Sequence, residues 1–139
     1  VVTGASHGVF LSLTVASFDK RITFPGVVHD AMCDYSAEVH GVAGGWPHYF
    51  YKNTDKSLKV KVDASMYYDG VNFARRINVP GWYSFGYNDE VVPPTSSYGL
   101  YNIVTAPKKL SVYQQTGHYW YQEQWDKWQN YIKEQLNVK

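Results

Sequence analysis

With 139 residues the chain is long enough for one domain with its own core, and 45% apolar and 18% charged residues fall in the ordinary range of globular proteins. A formal net charge of +1 and the lack of a Lys/Arg run argue against a nucleic-acid partner, and no stretch approaches the roughly 20 apolar residues of a membrane span. The single cysteine, Cys33, cannot form an internal disulfide and reads as a small buried apolar residue rather than a nucleophile. Thirteen Tyr and five Trp suggest dense aromatic packing first, and a carbohydrate-facing surface second.

The chain starts on Val1 and its first residues read as the end of a strand, so the expectation is a piece of a longer protein. Val1–Thr3 is the strand stub and Gly4–Gly8 a glycine turn. A largely buried helix follows over Val9–Ser17, with Phe10, Leu11, Leu13, Val15 and Phe18 supplying its apolar surface. After Asp19-Lys20-Arg21 the run Ile22–Val28 reads as a short buried strand, with Pro25 near its start or at a bulge. Residues 29–65 read as a helical excursion with loops, an insertion or lid broken by Gly41, Gly44, Gly45 and Pro47.

Met66–Ile77 reads as a helix packing Tyr67, Val71, Phe73, Ala74 and Ile77 inward. Val79–Phe85 is a strand. Pro93-Pro94-Thr95 can open a helix running to about Thr105, because proline suits a first helical turn. Lys108–Tyr113 alternates as a strand, Gln114–His118 is a loop, and Gln122–Leu136 is an amphipathic helix with Trp125, Trp128, Ile132 and Leu136 on its apolar face. Strands alternating with helices predict an α/β fold with a parallel sheet. There is no internal repeat and no low-complexity tract.

The opening VVTGASHGVF admits two chemistries. As T-G-x-x-x-G (Thr3, Gly4, Gly8) it resembles the cofactor turn of a short-chain dehydrogenase. As G-x-S-x-G (Gly4, Ser6, Gly8) it resembles the nucleophile elbow of an α/β-hydrolase. Phe10 stands where the dehydrogenase pattern needs a further glycine for the backbone to approach a pyrophosphate. That chemistry also needs a Tyr with Lys four residues on, and none of the thirteen tyrosines has one.

The elbow instead demands an acid and then a histidine after later strands. Asp89 follows the strand Val79–Phe85, and His118 follows Lys108–Tyr113. Both fall in loops at the carboxyl edge of the predicted sheet, where open α/β folds build their sites. Each residue alone has an ordinary reading: Ser6 as a small turn residue, Asp89 as a helix cap or ion-pair partner, His118 as a satisfied loop histidine. Their shared order and topology favour the elbow. His40 and His48 have no acidic or Cys partner at a recognised metal spacing, so no metal site is expected. Trp46, in HGVAGGWPH, is read either as a wall over a substrate pocket or as a core residue in a tight connection.

At VVTGASHG, SFDKRI, HGVAGGWPHYF, YYDGVNFARRINVPGWYSFGYNDEVVPPTSSYGLYN, TAPKKL and TGHYW the chain resembles the acetyl xylan esterase and cephalosporin C deacetylase family of α/β-hydrolases. The resemblance covers nearly all of it. It implies that residues 1–139 are the C-terminal part of the catalytic domain, from the elbow onward, without the early strands and the loop that supplies a second oxyanion N–H. It implies Ser6 as nucleophile, His118 as base, Asp89 as its orienting partner and the backbone N–H of His7 as an oxyanion donor. It further implies removal of acetyl groups from carbohydrate such as acetylated xylan, no cofactor, and multimeric assembly; secretion would suit such a role. The usual Gly-x-Ser-Gln-Gly-Gly of the family reads Gly4-Ala5-Ser6-His7-Gly8-Val9 here. Two other functions use the same features: a prolyl-oligopeptidase-like serine peptidase, which shares the triad order, and a non-catalytic remnant or interaction chain whose triad is vestigial.

Overall fold

A computed structural model describes residues 1–52 and 58–138. Four strands, β1 (Val2–Ala5), β2 (Pro25–Val28), β3 (Gly81–Gly86) and β4 (Lys108–Tyr113), form one sheet in the order β1-β2-β3-β4, and every neighbouring pair is parallel. Parallel strands need crossovers, which place helices on both faces and bury the central strands. All residues of β2 and β3 are accordingly buried, whereas β4 is mostly half-buried. Pro25 is the first residue of β2, a position where the missing N–H costs no ladder bond.

The helices are α1 (His7–Phe18), α2 (Leu58–Ser65), α3 (Gly70–Ala74), α4 (Pro94–Ile103) and α5 (Gln122–Leu136). Among the described residues no helix is long and apolar enough to cross a membrane. One core lies between the sheet and α1, α3 and α4, and contains Val9, Leu13, Val27, Ala74, Ile77, Tyr83, Leu100 and Val104. A second lies under α5 and is aromatic: Phe24, Trp82, Trp128 and Tyr131 around Val28.

Three expected faces are corrected. In α1 the buried residues are Val9, Ser12, Leu13 and Ala16, while Leu11, Val15 and Phe18 are exposed on this chain. Small Ser12 and Ala16 let the helix lie close to the strands, so the bulkier residues turn away. In α5 the buried set is Gln124, Trp128 and Tyr131, with Trp125 and Leu136 exposed and Ile132 only partly buried. Gln124 can be buried because its amide donates to Ser84 Oγ at 2.7 Å, and Ser84 Oγ donates on to the Ser111 carbonyl at 2.8 Å.

The third correction concerns Met66–Ile77. It is a 3-10 turn (Met66–Tyr68) followed by the short α3, and Tyr67 is 81% exposed rather than inward. The break falls at Asp69, whose buried carboxylate accepts from the backbone N–H of Val71, Asp34 and Tyr35 at 2.8–2.9 Å. It therefore caps α3 and ties down the start of the segment after β2.

That segment is not helical up to residue 52: it is a run of turns with one 3-10 turn, Ala37–His40, and the first α-helix is α2, which buries no residue. Gly41 and Gly45 hold φ of 73° and 71°, which ends helical continuation. The expected excursion also includes residues 53–57, which lie outside the described residues. Within it, His48 Nδ1 lies 2.8 Å from Glu38 Oε1.

Candidate active site

The carboxyl ends of all four strands converge on one polar cluster. Ser6 directly follows β1 and precedes α1, and it is non-glycine backbone at φ 52°. A side chain in that region is held only where its surroundings over-determine it. Here the Ser6 N–H donates to the Val28 carbonyl at 2.9 Å, and its carbonyl accepts from Val9 N–H at 3.0 Å. Gly4 is demanded by space: a Cβ there would stand 2.1 Å from the Gly8 carbonyl oxygen. Gly8 has no such crowding, since a Cβ there would meet nothing within 4 Å. Val9, where the family has glycine, is fully buried in the core under α1.

Asp89 sits in the turn after β3. Its Oδ1 accepts from the N–H groups of Val91 and Val92 at 2.9 and 2.8 Å. His118 follows β4 in a loop that is pinned back to the β3 loop: Asn88 N–H donates to the Thr116 carbonyl at 3.0 Å, and Asn88 Nδ2 to the Gln114 carbonyl at 3.0 Å. These bonds bring together the three residues expected from sequence. His118 Nε2 is 2.9 Å from Ser6 Oγ, and His118 Nδ1 is 2.8 Å from Asp89 Oδ2. Because a carboxylate only accepts, Nδ1 carries the proton and Nε2 is left to accept from the serine hydroxyl.

Burial pushes the Asp89 carboxyl up. Hydrogen bonds from His29, the Val92 N–H and His118, with the charge of His118, outweigh that and hold it below the usual carboxylate range. The ionised carboxylate is thus the form that this site favours. Asp30, beside this cluster and buried, behaves oppositely. Desolvation dominates and pushes it up to about 7, against weaker lowering by Ser97, its own backbone and His29.

His7 is the first residue of α1, so its N–H is among those a helix leaves without an intrahelical acceptor. Its ring is exposed and lies 6.4 Å from that of Trp46. Trp46 is half-buried and belongs to neither core cluster, so its core reading does not hold. An apolar hollow of about 530 Å³ opens among Val42, Ala43, Tyr51 and Pro93, but Ser6, Asp89 and His118 do not line it.

One member of the cluster was absent from the sequence reading. His29, directly after β2, is 2% exposed and places Nδ1 3.0 Å from Asp89 Oδ2 and Nε2 3.1 Å from the Tyr119 carbonyl. A signal for it existed: it is the first polar residue past a buried apolar strand, at the carboxyl edge where the other site residues lie. One atom each of His29, Asp89 and His118 lies within 4.8 Å of the others, close enough for a single cation to bridge, but these atoms are engaged in the hydrogen bonds just described.

Known proteins share this sequence and fold. Residues 1–135 match the family model described as Acetyl xylan esterase (AXE1). The chain is 44% identical over 108 residues to acetyl esterase Axe7A of Xylanibacter ruminicola, covering 78% of this chain and 24% of that protein. Its fold is that of the α/β-hydrolase acetyl xylan esterases. The enzyme from Paenibacillus sp. R4 superposes with a TM-score of 0.83 at 23% identity, over 94% of this chain and 43% of that one. Acetyl xylan esterase 1 from Thermoanaerobacterium sp. gives 0.81 at 24% identity, over 96% and 44%. The chain thus spans about a quarter of the curated relative it matches and under half of these solved esterases.

Proposed function

Because the chain belongs to the acetyl xylan esterase family, we propose that it carries the nucleophile, base and acid of a serine esterase that removes acetyl groups from carbohydrate. The observation that carries this reading is the relay through one imidazole: His118 lies 2.9 Å from Ser6 Oγ on one side and 2.8 Å from Asp89 on the other. The curated relative is itself called an acetyl esterase, which supports the acyl group assigned.

In this reading Ser6 Oγ attacks the acetyl carbonyl while His118 Nε2 takes the hydroxyl proton. Asp89 holds the imidazole tautomer and stabilises the imidazolium. The His7 N–H stabilises the oxyanion as the carbonyl becomes tetrahedral. Collapse expels the sugar hydroxyl, which receives its proton from His118. Water, activated by the same imidazole, then releases acetate and restores Ser6. Every step is an acyl or proton transfer that these side chains supply themselves. Trp46, beside His7, forms part of the wall over the acetyl pocket.

The test is acetate release from acetylated xylo-oligosaccharide by the native-length protein, its Ser6→Ala variant and residues 1–139 alone. Release abolished by Ser6→Ala is expected. The isolated chain should be slower by about 10²–10³-fold if an oxyanion donor lies outside it. Hydrolysis of a peptide substrate with no acetate release would move the same triad to a peptidase, and failure of a serine-directed phosphonate to label Ser6 would make the triad vestigial.

A further inference from the structure

The hydrogen bonds of His29 form a pattern that one neutral imidazole cannot complete. Nε2 faces the Tyr119 carbonyl at 3.1 Å and Nδ1 faces Asp89 Oδ2 at 3.0 Å. Both are acceptors. A neutral ring has one N–H and would turn a lone pair toward the other oxygen, whereas a ring with two N–H groups satisfies both. The ring is 2% exposed and Asp89 is 3% exposed, so an unmatched lone pair here would be costly. Asp89, His118 and Asp30 are the titratable groups around it: the first is hydrogen-bonded, the second has its ring centroid 5.1 Å away, and the third adjoins it in the chain.

We propose that His29 is a positioning residue of the esterase, a doubly protonated clamp that fixes Asp89 for His118. The inference rests on the esterase reading above. Asp89 Oδ1 is already held by two backbone N–H groups, and Oδ2 receives both imidazoles, so four donors fix the carboxylate plane. The other end of His29 holds the carbonyl of Tyr119, the residue next to His118. One side chain from the end of β2 therefore braces the acid loop and the base loop together. Its backbone is fixed as well. His29 holds φ 53°, with its N–H donating to the Ser84 carbonyl at 3.0 Å and its carbonyl accepting from Ala31 N–H at 2.9 Å. A left-handed conformation is uncommon for a non-glycine residue and here aims the ring into the site.

Two measurements on the native-length protein test this. The first labels its histidines with ¹⁵N and counts ring N–H groups. Two N–H signals that vanish in His29→Asn are expected, and a single one overturns the doubly protonated clamp. The second compares His29→Phe and His29→Asn in acetate release. His29→Phe removes both donors and should lower kcat by about 10–100-fold with KM little changed. His29→Asn returns a donor near the Nδ1 position, suits the left-handed backbone, and should recover most of kcat. A His29→Phe enzyme with native kcat, where Ser6→Ala abolishes activity, sinks the positioning role and leaves the esterase reading intact. Retained activity in Ser6→Ala sinks the esterase reading, and with it the positioning role. If His29→Phe fails to fold, His29→Asn and the N–H count decide.

Discussion

The carboxyl edge of the sheet and the face under α5 are built on the same strands, yet they treat burial in opposite ways. At the edge, Ser6, His29, Asp89 and His118 are tied by hydrogen bonds of 2.8–3.0 Å. Under α5, rings meet rings. Trp82 and Trp128 stack with centroids 5.5 Å apart, Trp128 and Tyr131 with centroids 6.1 Å apart, and Phe24 meets Tyr131 edge-on at 5.7 Å. Strand ends carry exposed backbone and chain reversals, so directional polar groups can be gathered there. Strand sides present side chains to a helix, so stabilisation there comes mainly from apolar area and shape, with Gln124 and Ser84 as a hydrogen-bonded exception. The proposed activity and the stability of the fold should therefore be separable by position along a strand.

The strongest challenge to that separation is Ser6→Ala in the native-length protein. Acetate release should fall by at least about 10⁴-fold while the thermal unfolding midpoint stays put. A large fall in the midpoint would show that the edge also holds the fold. Next is Trp128→Ala, expected to cost about 3–5 kcal/mol in denaturant unfolding with kcat unchanged in the folded fraction. Gly26 belongs to the same region. A Cβ there would stand 2.2 Å from the Trp128 indole, so Gly26→Ala should cost about 1–3 kcal/mol by overpacking.

Asp30 adjoins the edge and carries the contrast into pH. Its neutral form is favoured in the fold, so its contribution is intact below about pH 4 and lost as pH rises through about 7. Asp30→Asn should thus leave stability unchanged at pH 4 and raise it at pH 8 by up to about 4 kcal/mol. Equal unfolding free energies for the two proteins across that range would refute the assignment. The smallest effect is expected from Trp46→Ala. If Trp46 walls the acetyl pocket, KM should rise by about fivefold, with stability changed by less than about 1 kcal/mol.

Much of the candidate site was legible because its residues follow a linear order. Ser6, Asp89 and His118 each sit just past a strand that the apolar pattern reveals, and β4 and α5 match their expected limits in the structure. His29 was not singled out, because a histidine opening an irregular segment looks like any loop residue until the loops after β3 and β4 fold over it. The buried faces of α1 and α5 depart in part from the apolar pattern for a related reason. Periodicity ranks residues by hydrophobicity, but close approach selected small Ser12 and Ala16, and a hydrogen bond to Ser84 made Gln124 a core residue.

The strand–helix alternation, the glycine-flanked serine turn and the order of Ser6, Asp89 and His118 are written in the chain itself. The first two are local, resting on residues a few positions apart and on dihedral preferences that do not need the rest of the molecule, and the third is a linear order that can be read before the fold is known. Folding alone settled which helix faces are buried, that Trp46 lies beside His7, and that His29 shares the carboxylate of Asp89 with His118. Those outcomes depend on distances between segments as far apart in the chain as Phe24 and Tyr131, and a pattern along the chain carries no information about the gap that closes between them.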